Sequence, residues 1–347
     1  MLFSFLVPVY NVEKYLEKCI QSLLLQKGCA YEIVLLDDGS TDTSGKICDR
    51  YAEEYPDKIR VVHKANEGLL MTRRRGFAEA RGDWFICVDS DDYVSPDLLQ
   101  SVVSTIKETD ADMVMYNFTY FDENDIHTPS RIKMKNGELF EGIGKQHIYE
   151  KRLLTVDYNS MCLRAVKRDL IDFDTDYSSC GIRNMCEDAV QVLALYTNAK
   201  KIVYIDEPLY YYRKGIDSIT AKYSMERWNA SMRCHEYTKQ YLKIWNVSDE
   251  VESRYYTKHL ESLCNYVRWL FSAEENELPL SLEDMVGQLK QDDGFVTSRQ
   301  KYQKEFAHSR YLSMIVPVLT RFVQSENIVG IRVILCLERW VLKFKRK

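Results

Sequence analysis

From Phe3 to Ile106, short unbroken hydrophobic runs alternate with stretches in which apolar residues recur every three or four positions. Runs of the first kind suit strands buried on both faces, and the second kind marks amphipathic helices. Phe3–Val9 reads as a first strand, and Asn11 as the cap of a helix carrying Val12, Tyr15, Leu16, Cys19, Ile20, Leu23 and Leu24 on one side. Gly28 closes that helix, and Tyr31–Leu36 is a second buried strand. The turn-rich segment Asp37–Asp42 leads into a helical stripe beginning at Ile47 and Tyr51. Arg60–His63 predicts a third strand, and Leu69–Ala80 a helix ended near Gly82. Trp84–Val88 predicts a fourth strand, which runs into Asp89-Ser90-Asp91-Asp92. Ser95-Pro96 then supplies a cap and a first-turn proline for a helix bearing Leu99, Val102, Val103 and Ile106.

Four strand–helix units in succession imply an α/β fold, a mostly parallel sheet with right-handed crossovers. Ligands of such sheets gather at the carboxyl ends of the strands. Here those ends carry Pro8-Val9-Tyr10-Asn11, Asp37-Asp38-Gly39-Ser40 and Asp89-Ser90-Asp91-Asp92. Beyond them the pattern is less regular. Met113–Phe121, Lys201–Ile205 and Leu209–Tyr212 read as extended, and Asp188–Thr197 as helical. From about Thr220 onward the chain becomes helical, most clearly over Trp228–Trp245 and Val251–Phe271, which predicts units of 1–220 and 221–347.

A length of 347 residues fits two domains, each with its own core. The balance of 47 basic against 52 acidic residues argues against a nucleic-acid partner. Fourteen Gly and seven Pro exclude collagen-like and Pro/Gly-rich disordered classes. The ten cysteines lack CxxC spacing, and Met1–Pro8 has neither a basic leader nor a long apolar core. The expectation is a cytoplasmic protein with reduced thiols.

The chemistry concentrates in Asp89-Ser90-Asp91-Asp92. Three carboxylates so close repel one another unless a cation shares them, and oxygen ligands of this kind suit Mg²⁺ or Mn²⁺ bridged to a phosphate. An acidic turn capping the following helix is the plainer alternative. The position at a strand end, beside a second acidic loop, favours the metal–phosphate reading. Tyr10 can stack on a base and Asp38 can accept from an imide N–H, although either can equally serve packing or turn formation. No Walker-type phosphate loop, G-x-S-x-G elbow or paired-histidine zinc helix occurs.

Val7-Pro8-Val9-Tyr10-Asn11, Asp37–Asp42, Asn66-Glu67-Gly68 and Asp89-Ser90-Asp91-Asp92, followed by Glu187-Asp188 and Ile205–Arg213, resemble in order and spacing the family 2 glycosyltransferases of bacterial cell-surface polysaccharide synthesis. The resemblance covers about residues 1–220. It implies a GT-A fold (Rossmann-like, with flanking helices) followed by a helical C-terminal extension. It also implies an inverting reaction from a nucleotide-sugar, most often a UDP-sugar, to a glycan or lipid-linked glycan acceptor. Carried onto this chain, Pro8, Tyr10 and Asp38 would hold the nucleotide, Asp89 would approach the ribose or donor sugar, Asp91 would ligate the metal, and Asp92 would be a neighbouring donor contact. Asp188 would be the catalytic base, and Arg73 matches the family arginine, with a guanidinium suited to the diphosphate.

Two departures stand out. Arg74 replaces the usual Asn after Arg73, and Tyr158-Asn159-Ser160 replaces a Trp-Asn-Lys segment. They leave open a donor-binding or scaffold subunit without turnover as the alternative function. At the C-terminus, residues 330–347 carry a net charge of +5. Arg332, Arg339, Lys343 and Arg346 fall on one helical face and Ile334, Leu337, Val341 and Phe344 on another, a pattern that suits an anionic membrane surface or docking within the domain or against a second copy.

Overall fold

The unbroken apolar runs become neighbouring strands of one sheet. In this computed structural model the chain divides into two units, Met1–Ala221 and Lys222–Lys347. The structure describes residues 1–214, 224–272 and 281–345. In the first unit β1 (Leu2–Val9), α1 (Leu16–Leu24), β2 (Ala30–Asp37), α2 (Ser44–Glu54), β3 (Ile59–His63), α3 (Leu69–Glu79) and β4 (Trp84–Cys87) follow one another. Next come β5 (Tyr93–Val94), α4 (Leu98–Thr109), β6 (Met113–Phe121), β7 (His127–Pro129), β8 (Glu138–Glu141), α5 (Lys145–Leu154), β9 (Arg164–Lys167), α6 (Glu187–Asn198) and β10 (Lys201–Arg213).

The strand order is β3-β2-β1-β4-β9-β6-β10-β5. β3, β2, β1 and β4 pair in parallel, β9 runs antiparallel between β4 and β6, and β6 and β10 are again parallel. β7 adds to β6 and β8 to β10. Pro8 is tolerated inside β1 because of where it sits. Val88 N–H donates to Leu6 O, the last bond toward β4, so the N–H that Pro8 lacks would point past the end of that strand. α3 lies close against the sheet because residue 76 is glycine: a Cβ there would come within 2.7 Å of Leu36 Cδ1.

Several boundaries differ from the sequence expectation. Asn11 is not a helix cap. Its φ is +48°, its Oδ1 accepts from the N–H of Thr41 at 2.8 Å, and the helix starts only at Leu16. Ser95 does not cap α4 either, since its hydroxyl accepts from Asp97 N–H and the helix begins at Leu98. The two extended segments expected over 201–212 are one strand, interrupted by register shifts between Ile205, Pro208 and Tyr210.

The second unit contains α7 (Met225–Ile244), α8 (Asp249–Ser272), α9 (Leu282–Gln291), α10 (Asp293–Lys301), α11 (Arg310–Gln324) and α12 (Ile328–Lys345). Its core joins Trp228, Leu263, Val267, Met285, Leu289, Val316 and Leu319. α12 docks there through Ile331 and Leu335, not through the expected stripe: Leu337 is 58% exposed and Ile334 only partly buried. Arg332 pairs with Glu283 at 3.1 Å. The side chains of 338–347, including Arg339, Lys343 and Arg346, lie outside the described residues. Deeper in this unit the rings of His235 and His259 stack with centroids 3.6 Å apart. Their Nδ1 atoms lie 2.8 Å from the Tyr255 hydroxyl and 2.9 Å from the Ser298 hydroxyl. Burial lowers His235 to about 4, and burial together with the neighbouring His235 takes His259 well below the ordinary range.

Candidate active site

The carboxyl ends of β1, β2 and β4 meet on one edge of the first unit. Asp38 N–H donates to Val9 O at 2.9 Å, which ties the loop after β2 to the end of β1. Pro8 is buried in β1, while Tyr10, one step past its end, is 51% exposed. The Asp38 carboxylate is buried and gathers the next loop. It accepts from the backbone N–H groups of Glu67 and Gly68, each at 2.9 Å, and from Lys64 Nζ. A carboxylate has about four lone-pair sites, so one remains for a ligand. Gly68 has φ +89°, and a Cβ there would press within 3.0 Å of Arg183 and Asn184. That close approach lets Asn184 Oδ1 accept from Leu69 N–H at 2.9 Å, and Arg183 O from Leu70 N–H at 3.0 Å.

After β4 the acidic loop divides its carboxylates. Asp89 accepts from Arg73 Nη2 at 2.8 Å. Asp92 is only 2% exposed and accepts from the Tyr210 hydroxyl at 2.6 Å and from Arg213 N–H at 2.8 Å. Burial and the charges of Asp91 and Asp89 hold its carboxyl well above the usual range. Asp92, expected as a donor contact, is thus a buried brace between the loop and β10. Asp91 differs again: it makes no ion pair among the described residues, and burial and the Asp89 charge push it up to about 6. A carboxylate desolvated beside another and lacking a cation fits a divalent ion. Among the described residues no cluster of three or more His, Cys, Asp or Glu forms a ready-made cage. A cation at Asp91 would therefore draw its remaining ligands from water and phosphate.

Arg73 also departs from expectation. It is wholly buried, its Nη1 donates to Asp188 Oδ1 and lies 3.5 Å from Glu187 Oε1, and its Nη2 serves Asp89. α3 turns Arg73 inward, and both of its terminal nitrogens go to carboxylates rather than standing free for the expected diphosphate. Arg74 instead lies 5.0 Å from the Tyr177 ring, and Arg75 pairs with Glu79. Asp188 opens α6 and remains 27% exposed. Burial raises its carboxyl against the opposing Arg73 charge, and the backbone N–H of Met161 also stabilises the anion. Glu187 is pushed up to about 8 by burial and then by Asp188. The cluster therefore sets a carboxyl disposed to neutrality, Glu187, beside the Arg73 guanidinium.

Sequence reasoning did not assign roles to Tyr210, Arg213, Arg183 or Asn184. The first two lie within a motif noted for its resemblance, so a signal existed. Nothing in the neighbourhood of Arg183-Asn184 marks them as the clasp on a loop more than a hundred positions earlier.

The model described as Glycosyl transferase family 2 matches residues 4–172. The chain is 33% identical over 226 residues to the glycosyltransferase GlyG of Streptococcus pneumoniae serotype 4, covering 63% of this chain and 72% of that protein. It is 34% identical over 226 residues to the uncharacterized glycosyltransferase EpsJ of Bacillus subtilis, covering 63% of each. The solved structure of Staphylococcus aureus TarS 1–349 in complex with UDP-GlcNAc has a TM-score of 0.65 at 18% identity, covering 98% of this chain and 92% of that one. The likeness is one of fold, the GT-A arrangement of sheet and helices.

Proposed function

Because this chain belongs to glycosyl transferase family 2, and is a glycosyltransferase, we propose that it moves a sugar from a UDP-sugar to a hydroxyl of a growing cell-surface glycan, with inversion at the anomeric carbon. The observation that carries the reading is the convergence of Asp89, Asp188 and Glu187 on one buried arginine at the strand ends. The TarS structures with UDP and with UDP-GlcNAc support the choice of nucleotide.

Tyr10 and Asp38 take the base, with Pro8 shaping the floor beneath it. Asp89 faces the ribose or donor sugar. Asp91 would hold Mn²⁺ or Mg²⁺, which when bound would supply positive charge opposite the leaving diphosphate. Asp188 takes the proton from the acceptor hydroxyl as its oxygen attacks the anomeric carbon in one displacement. Arg73 fixes the direction of that carboxylate and keeps its anion accessible near neutral pH, which preorganises the base. Among the described residues no helix is long and apolar enough to cross a membrane. We place peripheral contact with the inner membrane face at α12, where Val329, Val333 and Leu337 are exposed next to the basic C-terminus.

The test is Asp188→Asn assayed with UDP-sugars, alongside the anomeric configuration of the wild-type product. Turnover should fall by about 10²-fold or more while UDP affinity holds. Undiminished turnover, or a product of retained configuration, would remove Asp188 from this role.

A further inference from the structure

With Arg73 committed to carboxylates, the acidic loop needs another cation for the leaving group. Arg213 ends β10, beyond the segment matched by the family model. Its N–H donates to Asp92 Oδ1 and its Nε to Asp91 O, each at 2.8 Å, so main chain and side chain both grip the loop that would hold the metal. The guanidinium carbon lies 4.2 Å from the centre of the Tyr15 ring and 4.5 Å from that of Phe121. Two aromatic faces and one hydrogen bond fix the plane of the group and exclude water from its sides. Among the described residues no acceptor lies within hydrogen-bond reach of either Nη, and the residue is only half-buried. A guanidinium so oriented presents two unspent donors in a rigid fork, the geometry that suits phosphate oxygens.

From this geometry we infer that Arg213 is the diphosphate-binding residue of the donor site. It contacts the phosphate that departs with the nucleotide through its two Nη groups, its Nε being held by Asp91 O. The inference rests on the nucleotide-sugar reading above. Arg213 would bind the ground state and, as negative charge accumulates on the leaving oxygen, stabilise the transition state more strongly. The rival role is a brace that only holds Asp91 and Asp92 in place.

The two roles separate by titrating UDP, UMP and uridine into the full chain with Mn²⁺ and again with EDTA, comparing wild type with Arg213→Gln and Arg213→Lys. A direct phosphate contact weakens UDP in both media, whereas a UDP loss confined to the Mn²⁺ titrations is the brace and overturns the inference. Glutamine removes the charge while keeping a donor near Nε, and lysine keeps the charge without the fork. For Arg213→Gln we expect UDP affinity to fall about tenfold to a hundredfold, while uridine stays within about twofold. Arg213→Lys should fall between, and it replaces the glutamine variant if that one fails to fold. An equal loss for UDP and uridine, or no loss of either, would overturn the inference and leave the brace. A wild-type chain that binds none of the three would instead overturn the proposed donor, and this inference with it.

Discussion

Replacing Arg73 by methionine keeps most of the apolar stem of a wholly buried side chain and deletes its charged head. Three carboxyl groups then lose their common cation: Asp188, Asp89 and, more distantly, Glu187. Removing one partner of a buried ion pair costs about 3–5 kcal/mol. Asp89 and Asp188 each keep 27% of their side-chain surface, so water relieves part of the penalty. We expect a loss of about 3 kcal/mol at pH 8. The loss should depend on pH. Asp188 and Glu187 already sit above their ordinary values, and without Arg73 they rise further. The folded variant then binds protons more readily than the unfolded chain, so its stability declines as pH rises and recovers as pH falls. Denaturant unfolding of variant and wild type at pH 5 and pH 8 measures this, and the gap should shrink by about half or more at the lower pH. In the rate profile the acidic limb, set by deprotonation of Asp188, should move to higher pH. An equal loss at both pH values with an unmoved acidic limb would mean that Arg73 only fills space, and the account of a cation poising the base would be wrong.

Asp91→Asn should abolish the stimulation of UDP binding by Mn²⁺ in calorimetry; in the wild type that stimulation should fade as pH drops through about 6, where this carboxyl takes up its proton. The stacked histidines make the second unit acid-sensitive. His235 sits at about 4 when folded, so the unfolded state protonates first, stability is complete above about 6.5, and roughly 3 kcal/mol is lost on reaching pH 4. Unfolding followed by Trp fluorescence across that range should show the slope, and His235→Phe should lessen it, with His259 supplying what remains. Gly76→Ala should destabilise by about 1–2 kcal/mol despite better helix propensity, because the new methyl meets Leu36 at 2.7 Å; a gain in melting temperature would show that α3 is not pressed against β2.

The parallel half of the sheet was legible because strands buried on both faces leave unbroken apolar runs, and its helices keep a helical period. The short strands β5, β7, β8 and β9 carry too few residues for either pattern to register. Asn11 and Ser95 have cap chemistry, but the same side-chain oxygens can close turns, and that local competition decided both. The acidic site was legible as a cluster and not as individuals. Asp91 and Asp92 are chemically identical neighbours, and it takes Tyr210 and Arg213, 118 and 121 positions away, to hold Asp92 out of the solvent. Arg73 and Arg74 likewise differ by one step around α3, and the packing of Gly76 on Leu36 decides which points inward.

β10 is the last strand of the first unit to leave the ribosome, yet it belongs inside the sheet, between β6 and β5. Until residues 201–213 emerge, β6 offers nine residues of largely apolar edge with no neighbour on that side. The acidic loop also lacks Tyr210 and Arg213, its two anchors. A nascent chain at this stage is therefore both sticky and inert, and its exposure to aggregation ends when the strand that completes the sheet also sets the loop. Fragments cut before Lys201, even those retaining Asp38, Asp89, Asp91 and Asp188, inherit that open edge permanently.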